Sequence, residues 1–89
     1  MPKRRAEDRK IGTENLVGQN MILLRKRVGI NQNILLSRLQ VRGIDISQTT
    51  LSAIEGQNRK VYDKELVAIA DALGVSLETL FHPDEEEAP

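Results

Sequence analysis

The sequence predicts an all-α fold of five short helices, on the strength of three observations. Capping residues, apolar residues at helical spacing and terminal glycines recur in the same order along the chain. The alternation of apolar and polar residues that marks strands is absent. Hydrophobic residues make up 39% of the chain, yet Tyr62 and Phe81 are its two aromatic residues. This composition is typical of small helices that pack through aliphatic side chains.

The first predicted helix begins at Thr13, a residue type that caps helices well, and ends near Val28, where Gly29 follows. Its apolar residues at helical spacing are Leu16, Val17, Leu23, Leu24 and Val28. The other four predicted helices lie between a starting residue and a stop, over residues 31–42, 47–55, 63–73 and 76–81. Their starting residues are Asn31, Ser47, Asp63 and Ser76. The fourth helix is expected to bury Leu66, Val67, Ile69, Ala70 and Leu73.

These elements predict one helical domain over residues 13–82 between two flexible tails. Residues 1–12 form a basic tail and residues 83–89 an acidic one, because both segments lack apolar periodicity. No apolar run approaches the roughly 20 residues that span a bilayer, and no signal-peptide core is present. The absence of cysteine excludes disulfides and a thiol nucleophile. We therefore expect a cytoplasmic protein without a membrane segment.

The net charge of the chain is zero, but the charges are unevenly distributed. Residues 1–10 contain five basic and two acidic residues, and residues 84–87 are all acidic. Residues 25–60 contain seven basic residues and two acidic ones. Local charge governs contact with a charged partner more directly than net charge does. The middle of the chain is basic enough to bind nucleic acid.

The third predicted helix has an outward face of small, uncharged polar residues. Leu51 and Ile54 anchor its inner side, because a helix this short is marginal without tertiary packing. The outward residues are Gln48, Thr49, Ser52 and Ala53. Gln can pair with adenine through two hydrogen bonds, and Thr or Ala can contact a thymine methyl group. Such a face suits the major groove, although a solvated polar face explains the same residues if it is considered alone.

The neighbouring elements favour the DNA-reading interpretation. A second helix, capped by Asn31, precedes this one, and Arg59 and Lys60 follow it. Helix N-termini and cationic side chains are common phosphate contacts. A groove-facing helix, a preceding helix and flanking cations together predict a helix-turn-helix formed by the second and third helices.

Residues 20–81 resemble the Cro/C1-type (XRE-like) helix-turn-helix family, which includes the lambdoid phage repressors. The matching segments are LRKRVGINQ at 24–32, SQTTLSAIEG at 47–56 and ELVAIADALGVSLETLF at 65–81. The resemblance implies a compact five-helix, lambda-repressor-like DNA-binding domain. This docking mode is the one for which those repressors are the standard example.

The resemblance also implies roles for particular residues. Gln32 falls where family members contact phosphate and brace the recognition helix, and Gln48, Thr49 and Ala53 fall on base-reading positions. Arg25 and Glu55 fall on a pair that commonly bridges the first and third helices. With Ser52 added from the outward face, the expected base-reading set is Gln48, Thr49, Ser52 and Ala53. The expected phosphate-contacting set is Asn31, Gln32, Arg59 and Lys60.

The chain departs from the family pattern in two places. The segment VRGIDI at 41–46 makes the turn before the third helix about five residues longer than is usual in the resemblance. Leu36 stands where the family usually has alanine, at the contact between the second and third helices. A longer turn that lets these helices separate would accommodate the leucine, and would also shift the recognition helix.

The leading hypothesis is a sequence-specific regulator of transcription, a repressor of phage or bacterial type at the bacterial nucleoid, that needs no cofactor. It is expected to bind double-stranded DNA as a homodimer through Leu77, Leu80 and Phe81 of the fifth helix. The alternative is an antitoxin or another module whose main partner is a protein, such as a toxin or co-regulator. An enzyme is disfavoured, because the sequence contains no nucleophile–base pair, phosphate-binding glycine loop or metal-ligand cluster, and the single histidine, His82, lies at a helix end.

Overall fold

A computed structural model describes residues 11–86 of the chain. Within that range the protein is all-helical, with six helical segments. They are α1 (Gly18–Arg27), α2 (Gln32–Val41), α3 (Gln48–Glu55), α4 (Asp63–Leu73), α5 (Leu77–Phe81) and α6 (Pro83–Glu86). The five predicted helices are present, which confirms the predicted fold class. Contacts of α1 with α3 and α5, and of α2 with α3 and α4, enclose one core.

Local capping chemistry starts α2, α3 and α5. The side chains of Asn31, Ser47 and Ser76 accept hydrogen bonds from the backbone N–H groups of residues 34, 50 and 79 at 2.9, 3.1 and 3.0 Å. Each bond satisfies one of the N–H groups that the first turn of a helix leaves without a backbone partner. The predicted starts of these three helices are therefore correct to the residue.

The start of α1 is different from the prediction. Thr13 is exposed and lies five residues before the first helical residue, Gly18. The side-chain oxygen of Asn15 accepts from the N–H groups of Val17 and Gly18 at 3.0 and 2.8 Å. Asn15 thus performs the capping that the sequence predicts for Thr13, and α1 is one turn shorter at its beginning.

The core is aliphatic and draws on every helix from α1 to α5. Its largest fully buried residues are Val17, Met21, Leu35, Leu39, Leu51, Ile54, Ile69 and Leu80. Four residues predicted to be on the inner side are instead exposed, namely Leu16 at 76%, Leu23 at 38%, Val28 at 49% and Val67 at 57%. Leu16 lies outside α1, so helical spacing does not apply to it, and Met21 takes a central place in the core. In α4 the alanines at 68 and 72 are buried, because small residues allow close packing.

The turn between α2 and α3 covers residues 42–47 and has backbone hydrogen bonds of its own to the end of α2. Gly43 has a φ of 85°, a left-handed conformation that residues with a Cβ rarely adopt. The N–H of Ile44 then donates to the carbonyl oxygen of Leu39 at 2.9 Å, which closes the end of α2. Ile44, Ile46 and Leu36 are half-buried against the core. The leucine at 36 is therefore accommodated against the core.

The inner ends of both predicted tails make contacts in the described part of the chain. The predicted acidic tail begins at residue 83, whereas Pro83–Glu86 form α6, which contacts α5. The predicted basic tail ends at residue 12, yet the N–H of Gly12 donates to the carbonyl oxygen of Gly56 at 2.9 Å. The basic cluster itself, at residues 3–10, lies outside the described residues.

Candidate nucleic-acid interface

The inner side of α3 holds the helix firmly and leaves its N-terminal half facing outward. Leu51 and Ile54 are completely buried. Gln48, Thr49 and Ser52 are exposed, and Ala53 is half-buried. The four predicted base-reading residues therefore lie together on the accessible side of one short helix. None of them is charged, so the backbone of α3 can approach a groove closely.

The C-terminal end of α3 is held by Asn15, just before α1, and by Gln19 in the first turn of α1. The side-chain amide of Asn15 donates to the carbonyl oxygens of Ile54 and Arg59 at 3.0 and 2.8 Å. Gln19 donates to the carbonyl oxygen of Glu55 at 3.0 Å. The bond from Gln19 satisfies a carbonyl group in the last turn of α3. The carbonyl oxygen of Ile54 also accepts from the backbone N–H of Gln57 at 2.9 Å, and that of Arg59 lies in the segment after α3. Sequence reasoning missed Asn15 and Gln19, because their partners lie 36 to 44 residues away.

Gly18 permits the close approach of α1 to the end of α3. A Cβ at this position would lie 2.3 Å from the carbonyl oxygen of Ile54 and 2.7 Å from that of Glu55. Both atoms belong to the backbone, so neither can move without displacing α3. The absence of a side chain at residue 18 is thus a condition for the observed packing of α1 on the recognition helix.

Arg25 and Glu55 join α1 to α3 by an ion pair. The Nε and Nη2 atoms of Arg25 donate to the two carboxylate oxygens of Glu55 at 2.7 and 3.0 Å. The two side chains are 14% and 5% exposed. Hydrogen bonding to Glu55 raises the pKa of Arg25 above its ordinary value. This is the interhelical pair that the resemblance to the family implies.

Glu55 also begins a chain of hydrogen bonds that leads to the outward face of α3. The Nε2 atom of Gln32 donates to Oε1 of Glu55 at 3.0 Å. The Oε1 atom of Gln32 accepts from Nε2 of Gln48 at 3.1 Å and from Oγ of Ser52 at 3.3 Å. We call these four residues, together with Arg25, the polar relay. It connects a buried ion pair to two of the predicted base-reading side chains.

The predicted phosphate-contacting residues have different surroundings. Asn31 is exposed at the start of α2, where its side chain caps Ile34. Gln32 is half-buried within the polar relay, and Lys60 is exposed after α3. The backbone N–H groups of the first turn of α2 lie beside Gln32, so this corner of the protein combines amide donors with a helix N-terminus.

Arg59 has a structural partner that the sequence analysis did not identify. Its Nη1 and Nη2 atoms donate to the two carboxylate oxygens of Glu65 at 2.8 and 3.1 Å, and its guanidinium carbon lies 5.6 Å from the ring centroid of Tyr62. Glu65 in turn accepts from the N–H of Tyr62 at 2.9 Å, which caps α4. The hydrogen bonds from Arg59 lower the pKa of Glu65, although burial acts in the opposite direction. The guanidinium of Arg59 therefore joins the end of α3 to the start of α4.

One of the three residues predicted to form the dimer surface on α5 is buried, so that part of the prediction is wrong. Leu80 is completely buried within the protomer and belongs to its core. Phe81 is half-buried against that core, and Leu77 is 43% exposed. Leu80 cannot contribute to an interface between folded protomers, because no part of its side chain reaches the surface. The turn from α4 into α5 directs position 80 inward and position 77 outward.

Within the described part of the chain, no group of three His, Asp or Glu side chains is placed to hold a metal ion. The same residues include no helix that is long and apolar enough to cross a membrane. A surface depression of about 340 Å³, whose lining includes Leu24, Val28, Val75 and Thr79, contains no pair of groups suited to acid–base chemistry.

The family model of the Cro/C1-type HTH DNA-binding domain matches residues 3–86, nearly the whole chain. Comparison with curated proteins and with solved structures gives no match. The family match agrees with the arrangement of α2 and α3 and with the outward face of α3. It supports DNA binding and a role in transcription regulation in general terms. The chain belongs to the family of Cro/C1-type helix-turn-helix DNA-binding domains.

Proposed function

We propose that the protein is a sequence-specific repressor of transcription, of phage or bacterial type, which acts in the cytoplasm at the nucleoid. The observation that carries the proposal is the outward face of α3, where Gln48, Thr49 and Ser52 are exposed above a fully buried anchor. Base edges in the major groove present the donors and acceptors that these side chains can pair with.

In this proposal Gln48, Thr49, Ser52 and Ala53 read base edges, while Asn31, Gln32 and Lys60 contact phosphate. Arg59 was predicted to contact phosphate too, but its two terminal nitrogens are bound to Glu65. We therefore assign Arg59 mainly a structural role at the start of α4, and we expect it to contribute little to phosphate binding. A repressor of this kind acts by occupying its site, so it requires no cofactor.

Selection of bound duplexes from a random DNA library tests the proposal directly. We expect a defined operator, and affinity for it at least about 1,000-fold above that for random duplex at the same salt concentration. A repressor should then reduce expression of a reporter whose promoter contains this operator. Binding that is equal for all duplexes would contradict sequence-specific recognition, and activation of the reporter would contradict the repressor assignment.

We also propose that the functional unit is a homodimer. A single module covers few base pairs, and two-fold pairing places two recognition helices about 34 Å apart, one turn of DNA. The proposed interface contains Leu77 and the exposed edge of Phe81, and excludes the buried Leu80. Light scattering of the operator complex should give two protomers on an approximate inverted repeat.

The substitution Leu77→Asp should abolish two-protomer binding without unfolding the protein, because Leu77 is 43% exposed. Val41→Asp is the matched control, since Val41 is 84% exposed at the far end of α2. Two protomers bound by the Leu77 variant, or one protomer bound by the wild type to an asymmetric site, would exclude this interface.

The alternative of a protein-binding module draws support from a different observation. Leu16, Val41 and Tyr62 are 76%, 84% and 67% exposed, and all lie outside the outward face of α3. Large exposed apolar side chains occur where proteins contact partners, although single ones are also common on free surfaces. Purification under gentle conditions separates the hypotheses, because an antitoxin is expected to retain a stoichiometric protein partner.

A further inference from the structure

The polar relay has a fixed direction, which follows from the chemistry of its buried end. Arg25 can only donate hydrogen bonds, and the carboxylate of Glu55 that it binds can only accept them. Gln32 lies against Oε1 of Glu55 at 3.0 Å and must therefore present its amide nitrogen to that atom. The carbonyl oxygen of Gln32 consequently points toward α3.

This direction passes on to the two side chains that bind the Gln32 oxygen. Gln48 gives one of its two amide hydrogens to Gln32 and keeps one hydrogen and its own oxygen for other partners. Ser52 has a single hydroxyl hydrogen, and that hydrogen is directed to Gln32. The Ser52 oxygen therefore presents only its lone pairs to a partner on the exposed side, and no hydrogen. Gln48 remains both donor and acceptor, whereas Ser52 is an acceptor.

We propose that Ser52 is a specificity-determining residue that selects a base presenting an amino group in the major groove. The inference rests on the proposed function, in which the outward face of α3 enters the major groove. There, N4 of cytosine and N6 of adenine are donors, whereas O6 and N7 of guanine and O4 of thymine are acceptors. An acceptor held by Gln32 pairs with the first two bases and opposes the lone pairs of the others.

The polar relay thus gives base specificity to serine, a residue type that otherwise discriminates little among bases. A serine hydroxyl that is free to rotate can donate or accept and so discriminates weakly among bases. In this protein Arg25, Glu55 and Gln32 act as positioning residues, since they determine the direction in which the Ser52 hydrogen points. The expected preference is about five-fold, the ratio that corresponds to one net hydrogen bond.

The first experiment locates the base that Ser52 contacts. The operator obtained by selection is changed at each position in turn, and binding is measured with the wild type and with Ser52→Ala. We expect one position at which the wild type favours cytosine or adenine over guanine and thymine by about five-fold, and at which Ser52→Ala removes that preference. A preference for guanine or thymine at this position, or no position altered by Ser52→Ala, would overturn the proposal.

The second experiment tests the direction of the hydrogen bond. At the identified position the base is replaced by its analogue without the amino group, which is 2-pyrimidinone for cytosine or purine for adenine. The wild type should lose about five-fold in affinity on this change, and Ser52→Ala should lose less than two-fold. Equal losses in the two proteins would show that Ser52 does not accept from the amino group.

The third experiment tests the contribution of the relay. Gln32→Met keeps the length of the side chain and removes the oxygen that Ser52 binds, so the hydroxyl becomes free to donate. The preference at the Ser52 position should fall below two-fold even if overall affinity decreases. Gln40→Met, an exposed position on α2 outside the relay, is the control. If Gln32→Met keeps the full preference, the relay does not direct Ser52. If the wild type selects no operator at all, the proposed function itself is wrong.

Discussion

Glu55 accepts two hydrogen bonds from Arg25 at 2.7 and 3.0 Å while its side chain remains 5% exposed. A second ion pair in the protein, Arg42–Asp71, is as short, at 2.6 Å, but its side chains are 32% and 70% exposed. Distance is nearly equal in the two pairs, so exposure should decide how much each contributes to stability.

We expect Arg25→Ala to destabilise the fold by about 3 kcal/mol, because it leaves the Glu55 carboxylate buried without its main partner. A double-mutant cycle with Glu55→Ala should give a coupling energy above about 0.5 kcal/mol. The corresponding cycle for Arg42 and Asp71 is the control. Each of its single substitutions to alanine should destabilise the fold by less than about 1 kcal/mol. Additive effects of Arg25→Ala and Glu55→Ala in urea denaturation would exclude a stabilising pair.

The capping of α1 provides a second prediction. Asn15→Ala removes the acceptor for two N–H groups and the donor to two carbonyl groups. The expected loss of stability is about 2–3 kcal/mol, more than a single cap contributes, because partly buried backbone groups lose their partners. Thr13→Ala is the control and should change the free energy of unfolding by less than about 0.5 kcal/mol. Similar losses of stability in the two variants would contradict the assignment of Asn15 as the cap of α1.

The packing of α1 on α3 can be tested by adding a single methyl group at Gly18. Gly18→Ala places a methyl group 2.3 Å from the carbonyl oxygen of Ile54, and the backbone must move to admit it. We expect a destabilisation of about 3 kcal/mol. In Gly56→Ala the nearest atom is 3.0 Å away and belongs to the side chain of Asn58, which can rotate. A thermal denaturation midpoint that falls equally in both variants would show that the contact at Gly18 is not limiting.

The outward face of α3 and the flanking cation should affect binding in different ways. Gln48→Ala is expected to cost about 1–3 kcal/mol on the operator and little on random duplex, because a base contact is lost. Lys60→Ala should weaken both complexes similarly and reduce the slope of log affinity against log salt by about one. Fluorescence anisotropy at several salt concentrations measures both effects. An equal loss on both duplexes for Gln48→Ala would remove α3 as the reading helix.

The ion pair between Arg59 and Glu65 should make the free energy of unfolding depend on pH in the acidic range. The pKa of Glu65 is lowered in the folded protein by hydrogen bonds from Arg59, below the ordinary value of 4.5 that applies to the unfolded chain. Its contribution is therefore fully present above about pH 4.5 and decreases as the pH falls through the folded-state pKa. Glu65→Gln should lower stability at pH 7 and flatten its decline below pH 4.5. Glu78→Gln, an exposed carboxylate on α5, controls for the lost charge. A decline in the Glu65 variant as steep as in the wild type would exclude this origin.

Local signals account for what the sequence predicts correctly. The caps at Asn31, Ser47 and Ser76 depend on a side chain and an N–H group three residues later, so the relevant atoms are close in the sequence. The five helices, and with them the fold class, follow from such signals together with apolar spacing. The outward position of Gln48 and Thr49 follows in the same way from the anchors at Leu51 and Ile54.

The wrong assignments depend on residues that lie on other elements of the fold. Thr13 and Asn15 are both capping residue types, and Asn15 is further held in place by its bonds to the carbonyl groups of Ile54 and Arg59. The periodicity of α5 is too short to show which of Leu77 and Leu80 is buried. Arg59 looks like a free cation until the first turn of α4 places Glu65 beside it. In each case the deciding partner lies on another element.

The attachment of the α3 C-terminal end to Asn15, Gln19 and Gly12 has a consequence for the length of the turn before α3. Because the direction of α3 is determined at its far end and along its buried side, residues 42–47 do not have to determine it. Chain entropy sets a small penalty for lengthening such a segment, about 0.6 kcal/mol for a doubling. Insertions beside the exposed Asp45 should therefore be tolerated, provided that Ile44 and Ile46 keep their places against the core. In this protein the turn is therefore a site at which the sequence can change in length while the reading helix keeps its orientation.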